Sequence, residues 1–95
     1  MTSYKSRPGV VLTKLGEEYF LVAIKELMGE CPYVTQLNET SAFLWKQMEQ
    51  GATLEALEAA IGEEYEIDDP AAAHAAIEDI IKQMEEYNYL EILTS

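Results

Sequence analysis

Between residues 33 and 45 a short β-rich run, Tyr-Val-Thr-Gln-Leu, passes straight into a capped amphipathic helix with no spacer, and this junction constrains the fold more than any other stretch. A strand that short, ending that abruptly, belongs at the edge of a sheet rather than at its centre. Asn38 has an oxygen placed to accept from the free N–H groups of the next turn, and Ser41, Leu44, Trp45 and Met48 then recur at i, i+3, i+4 and i+7, the spacing of one helical face. An edge strand leaves unpaired backbone N–H and C=O groups. In a small chain without enzyme-like residues, that row is the best candidate site for binding another chain.

Around this junction the pattern predicts a β-β-β-α-α-α order. Residues 1–6 read as a loose polar end, and Arg7-Pro8-Gly9 as the entry into structure. Residues 10–15 and 18–24 are β-branched and aromatic and flank Gly16-Glu17, where glycine at the first turn position suits a II′ hairpin. Residues 25–32 hold Gly29 and Pro32 and read as a loop, after which residues 33–37 return as a third strand. The first helix should stop at Gly51. Thr53 caps a second helix carrying Leu54, Leu57, Ile61 and Tyr65 on one stripe, joined so closely to the first that the pair resembles a helix-turn-helix. Asp68 or Asp69 before Pro70 opens a third helix, with Ala73, Ile77, Ile80, Met84 and Tyr87 as its buried stripe, widened by Ile81, and Asn88 as a left-handed stop. Residues 89–93 dock as a tail or short strand. The fold class is therefore α+β, a three-stranded antiparallel sheet followed by three helices, and 95 residues leave room for one domain spanning 1–95.

Charge and chemistry exclude several functions. The net charge is −12, and the whole excess lies from Gln36 onward, where two basic residues face fourteen acidic ones. Such a surface repels phosphate backbones and anionic lipid heads, so neither nucleic acid nor membrane is an expected partner. The second helix of a DNA-reading pair would carry Lys or Arg, yet residues 54–65 have none against Glu55, Glu58, Glu63 and Glu64. One Cys and one His build no metal site, and neither His74 nor Cys31 stands in a nucleophile–base pattern. No glycine-rich phosphate cradle is present. No catalytic residue, metal or cofactor is expected, and the unpaired Cys31, with no signal-peptide pattern and no long apolar run, fits the cytoplasm.

Residues 71–76, Ala-Ala-Ala-His-Ala-Ala, keep the start of the third helix slim enough for another backbone to approach. Placed beside the edge strand, that helix would form the wall of a groove whose floor is the strand.

In this order of elements the chain resembles the PqqD family, the small peptide chaperones of pyrroloquinoline quinone biosynthesis, and the wider set of precursor-recognition domains in ribosomal peptide modification. The resemblance rests on Arg7-Pro8, on Leu37-Asn38-Glu39-Thr40 followed by Trp45, on Gly51 and Thr53, on Tyr65, and on Asp79-Ile80 with Met84. Asn88 stands where a glycine is usual and Met84 where a leucine is usual, and the acidic second half is no part of the family pattern. The resemblance implies a winged-helix-like domain that holds a precursor's leader segment antiparallel against its third strand while a partner, often a radical S-adenosylmethionine enzyme, modifies the core segment. Carried onto this sequence, the backbone of Tyr33, Val34, Thr35 and Gln36 would pair with the leader, and proline at Thr35 would break the pairing. Ala72, His74, Ala76, Asp79 and Gln83 would form shallow pockets on the third helix. A structural or oligomerising subunit and an acidic winged-helix regulator are the competing readings, and the chain is expected as a monomer or homodimer.

Overall fold

The computed structural model describes residues 2–27, 29–30 and 34–94. Strands β1 (Thr2–Ser6), β2 (Val10–Leu15) and β3 (Glu18–Ala23) lead through a single 3-10 turn to β4 (Val34–Leu37). Helix α1 (Glu39–Met48), strand β5 (Ala52–Thr53), helices α2 (Leu54–Glu64) and α3 (Pro70–Glu86) and strand β6 (Leu90–Thr94) complete the chain. The strands form two antiparallel sheets, ordered β2-β3-β4 and β5-β1-β6, so the architecture is α+β and compatible with a winged helix.

The hairpin follows from its turn. Gly16 sits at φ 64°, a left-handed backbone that glycine adopts without strain, and the register runs without a bulge from Leu15↔Glu18 to Val10↔Ala23. All three helix starts are side-chain capped, as the sequence predicts. The Asn38 carboxamide oxygen accepts from the Ser41 N–H at 2.7 Å and the Thr53 hydroxyl from the Ala56 N–H at 3.1 Å. The Asp69 carboxylate accepts from the N–H groups of Ala71 and Ala72 at 3.1 and 3.3 Å, with Pro70 at the first helical position where its missing donor is not needed. Because α1 is the element on which β4 ends, Asn38→Ala is expected to destabilise the protein by about 1 kcal/mol in denaturant titration, with Asn38→Ser close to neutral.

The second sheet corrects the sequence reading. Residues 2–6 are not a loose end but the central strand β1, pairing Tyr4 with Ala52 on one side and with Ile92 on the other. Local composition hides this because Thr, Ser and Lys surround the one aromatic residue, and the partners lie in the middle and at the far end of the chain. Tyr4 packs against the core, and that contact holds an otherwise polar segment in place.

Trp45, Tyr89, Leu21, Leu44, Met48 and Leu57 are fully buried where the two sheets and the helices meet. Trp45 meets Tyr89 edge to face with ring centroids 6.2 Å apart. Beside Tyr89, Asn88 takes φ 61° and its side-chain amide donates to the Glu30 carbonyl at 2.7 Å. Arg7 donates through its guanidinium to the Asn88 carbonyl at 3.3 Å and to the Glu30 carboxylate at 2.7 Å, and through its backbone N–H to the Tyr89 carbonyl at 2.9 Å. The end of α3 is thus fastened to the segment ahead of β4 through the Asn88 amide, which a glycine at this position would lack.

Candidate functional site

Strand β4 lies at the edge of its sheet, as the sequence predicts, and among the described residues pairs with β3 alone. The chain's own tail does not cover it, since β6 joins the other sheet beside β1.

Register decides which backbone groups of β4 are free. The Ile24 N–H donates to the Gly9 carbonyl at 2.8 Å, and stepping by two along this antiparallel pair makes Val22 and Phe20 point their backbone groups at β2. Leu21 and Tyr19 therefore point theirs at β4, opposite Thr35 and Leu37. It follows that Thr35 and Leu37 spend their N–H and C=O groups on β3, whereas Val34 and Gln36 direct theirs outward to the open edge. Of the four residues expected to pair with a guest strand, Val34 and Gln36 have backbone in position. Thr35 contributes its side chain instead, so proline at Thr35 would damage the sheet rather than the site. Tyr33 lies outside the described residues.

Side chains alternate in the complementary sense. Val34 and Gln36 are exposed, while Thr35 and Leu37 turn inward toward the helices. Between β4, the start of α1 and the last turns of α3 lies a groove of about 280 Å³. Thr35, Gln36, Leu37, Asn38 and Ser41 line it from the strand side, and Ile80, Gln83, Met84, Tyr87 and Tyr89 from the helix side. The hydroxyls of Thr35 and Tyr89 hydrogen-bond to each other, which places the end of α3 beside Thr35. Tyr87, stacked edge to face on Tyr89 at 5.8 Å, rises from there as an exposed wall.

Among the five residues put forward from α3, Gln83 lines this groove. Ala72 and Ala76 are exposed and continue the strip of Gln83 toward the helix start, beyond the lining residues. Asp79 is exposed and borders a separate depression with Tyr4, Leu54 and Lys82. His74 stands about 120° round the helix from Ile80. Its two ring nitrogens meet Glu58 of α2 and Glu78 one turn along α3, so it ties the two helices together away from the groove. The alanine run pointed to the slim end of α3, whereas the groove forms at the other end, where the core stripe of Ile77, Ile81 and Met84 rolls Ile80, Gln83 and Tyr87 toward β4. Sequence reasoning missed Tyr89 as a groove residue. The available signal was Thr35, a polar residue at an inward strand position that needs a hydrogen-bonding partner.

Among the described residues no cluster of His, Cys, Asp and Glu is arranged to hold a metal ion, and no helix is long and apolar enough to cross a membrane. The arrangement offers backbone donors and acceptors along an edge, backed by a shaped groove.

Comparison with known proteins places this geometry. The family model of coenzyme PQQ synthesis protein D (PqqD) matches residues 18–90. No curated protein matches the chain. Among solved structures it is similar to TbiB1 in complex with the TbiA(beta) leader peptide, with a TM-score of 0.72 and 21% identity over 92% of this chain and 94% of that one. It is also similar to lasso peptide synthetase B1 complexed with the leader peptide, with a TM-score of 0.69 and 19% identity over 96% of this chain and 98% of the other. At such identities the likeness is one of fold.

Proposed function

The chain belongs to the PqqD family, and from that footing we propose that it is a non-catalytic adaptor that binds the leader segment of a ribosomally made precursor peptide and presents it to a modifying enzyme. The observation that carries this reading is the open edge of β4 with a groove at its back. The outer strands β2, β5 and β6 also end their sheets, but the groove against α3 belongs to β4. Both solved neighbours were obtained with leader peptides, in keeping with such a guest.

In this reading the leader lies antiparallel to β4 and exchanges main-chain hydrogen bonds with Val34 and Gln36, while every second side chain enters the groove over Thr35 and Leu37 and against Gln83. Ala72, Ala76 and Asp79 flank the path of a longer guest along α3, and Tyr33 precedes the pairing residues. A radical S-adenosylmethionine enzyme is the partner class that the family resemblance implies. Ordering a flexible leader costs about 2–5 kcal/mol, so a micromolar to high-nanomolar dissociation constant, roughly −8 to −10 kcal/mol, is expected.

Calorimetric titration with overlapping synthetic fragments of candidate precursors, taken from the short open reading frames that neighbour this gene, tests the proposal. Heat should appear only with leader fragments. Binding confined to core fragments, or absent throughout, overturns it. The charge of −12 adds a second expectation: for a basic leader, affinity should fall severalfold as ionic strength rises from about 0.01 to 0.15 M and the screening length shrinks from about 30 to 8 Å. The same charge opposes self-pairing at the open edge, so light scattering should report a monomer that takes up one peptide.

A further inference from the structure

The parity of β4 and the lining of the groove together restrict what a guest can be. A strand added antiparallel to β4 meets Leu37 first and Thr35 two residues later, and these two positions turn its side chains inward. Both are non-hydrogen-bonded pairs on the guest side, the closer kind, with Cβ atoms about 4.5–5.5 Å apart across the strands. The residue facing Leu37 enters a groove to which Leu37, Ile80 and Met84 contribute apolar side chains. The residue facing Thr35 meets the Thr35 hydroxyl, which the buried Tyr89 hydroxyl bonds from behind at the end of α3. Ile80, Gln83 and Met84 of α3, with Tyr87 at its end, flank the same groove as Thr35, Gln36 and Leu37 of β4. None of the described residues lining the groove is charged. An ionised side chain placed there would lose water without gaining an ion partner.

Resting on the groove as the guest site, we propose that the chain selects peptides carrying an aliphatic side chain followed, two residues later, by an uncharged side chain that can hydrogen-bond: Ser, Thr, Asn, Gln or Tyr. The aliphatic group covers Leu37, Ile80 and Met84. The second group bonds the half-buried Thr35 hydroxyl, which the buried Tyr89 hydroxyl holds in place and whose proton can turn to suit a donor or an acceptor. Charged residues of the guest fall at the alternate positions, facing solvent with Val34 and Gln36.

The test is selection of a displayed random nonapeptide library on the full-length protein, with a Gln36→Pro variant as counter-selection. Peptides that survive only on the native edge should share the aliphatic–x–polar spacing. A fluorescein-labelled peptide from that pool should lose about tenfold in affinity when its polar residue is replaced by Val. The double variant Thr35→Val/Tyr89→Phe removes both hydroxyls while keeping shape, and a paired replacement of this kind is nearly neutral for stability. It should invert the preference, taking the Val peptide at least as tightly as the parent. Edge-dependent peptides with Asp, Glu, Lys or Arg at the second position, or an unchanged preference in a folded double variant, overturn this inference and leave the edge site standing. A selection that yields no edge-dependent peptide overturns both.

Discussion

Gln36→Pro is expected to weaken leader binding by about a hundredfold while leaving the circular-dichroism spectrum and unfolding midpoint close to those of the native protein. The Gln36 N–H faces the open edge, so proline there removes a bond that the folded chain does not use, and edge strands accept proline at such positions. A bound guest, however, loses that donor, keeps an unsatisfied carbonyl and meets the pyrrolidine ring, a combined penalty of about 2–3 kcal/mol. Thr35→Pro should behave in the opposite way. It deletes a bond to β3 inside the sheet and should destabilise the fold by about 1–3 kcal/mol, so that any loss of binding follows the loss of structure. Equal binding defects from the two substitutions at equal stability would contradict the assigned parity.

Trp45→Ala is expected to have the largest effect on stability, about 3–5 kcal/mol, against a total of about 5–15 kcal/mol for a domain of this kind. Trp45 is 1% exposed and fully enclosed, and its ring supports Tyr89, which in turn floors the groove and bonds Thr35. The variant should therefore lose groove geometry as well as stability. Trp45→Phe serves as the graded comparison, and denaturant unfolding followed by circular dichroism reads both. A loss below about 1 kcal/mol for Trp45→Ala would mean that the core does not close on this residue.

Local chemistry made some of this molecule legible and topology concealed the rest. The caps at Asn38, Thr53 and Asp69, the Gly16 turn, the Asn88 stop and the edge position of β4 all rest on residues within a few positions of one another, where propensity and capping operate. Strand β1 was not legible. Its pairing to β5 and β6 bridges the whole chain, and a polar pentapeptide announces nothing about partners so distant. The site was half legible for a related reason. The strand itself could be found, but which of its backbone groups are free depends on the register between β3 and β4, and the segment joining them does not set that register as a two-residue turn would. Helix rotation was likewise set from outside: the packing of Ile77, Ile81 and Met84 into the core decides that Gln83 and Tyr87 face β4 and that His74 faces Glu58.

The central claim is that a peptide completes the sheet along β4, and amide hydrogen exchange read residue by residue by NMR, with and without the leader fragment, addresses it directly. In the free protein the Val34 and Gln36 amides should exchange fast and those of Thr35 and Leu37 slowly. On saturation with leader, Val34 and Gln36 should slow by an order of magnitude or more while Thr35 and Leu37 change little. Protection that instead appears along β2 or β6, or nowhere in β4 despite saturation, would contradict the account.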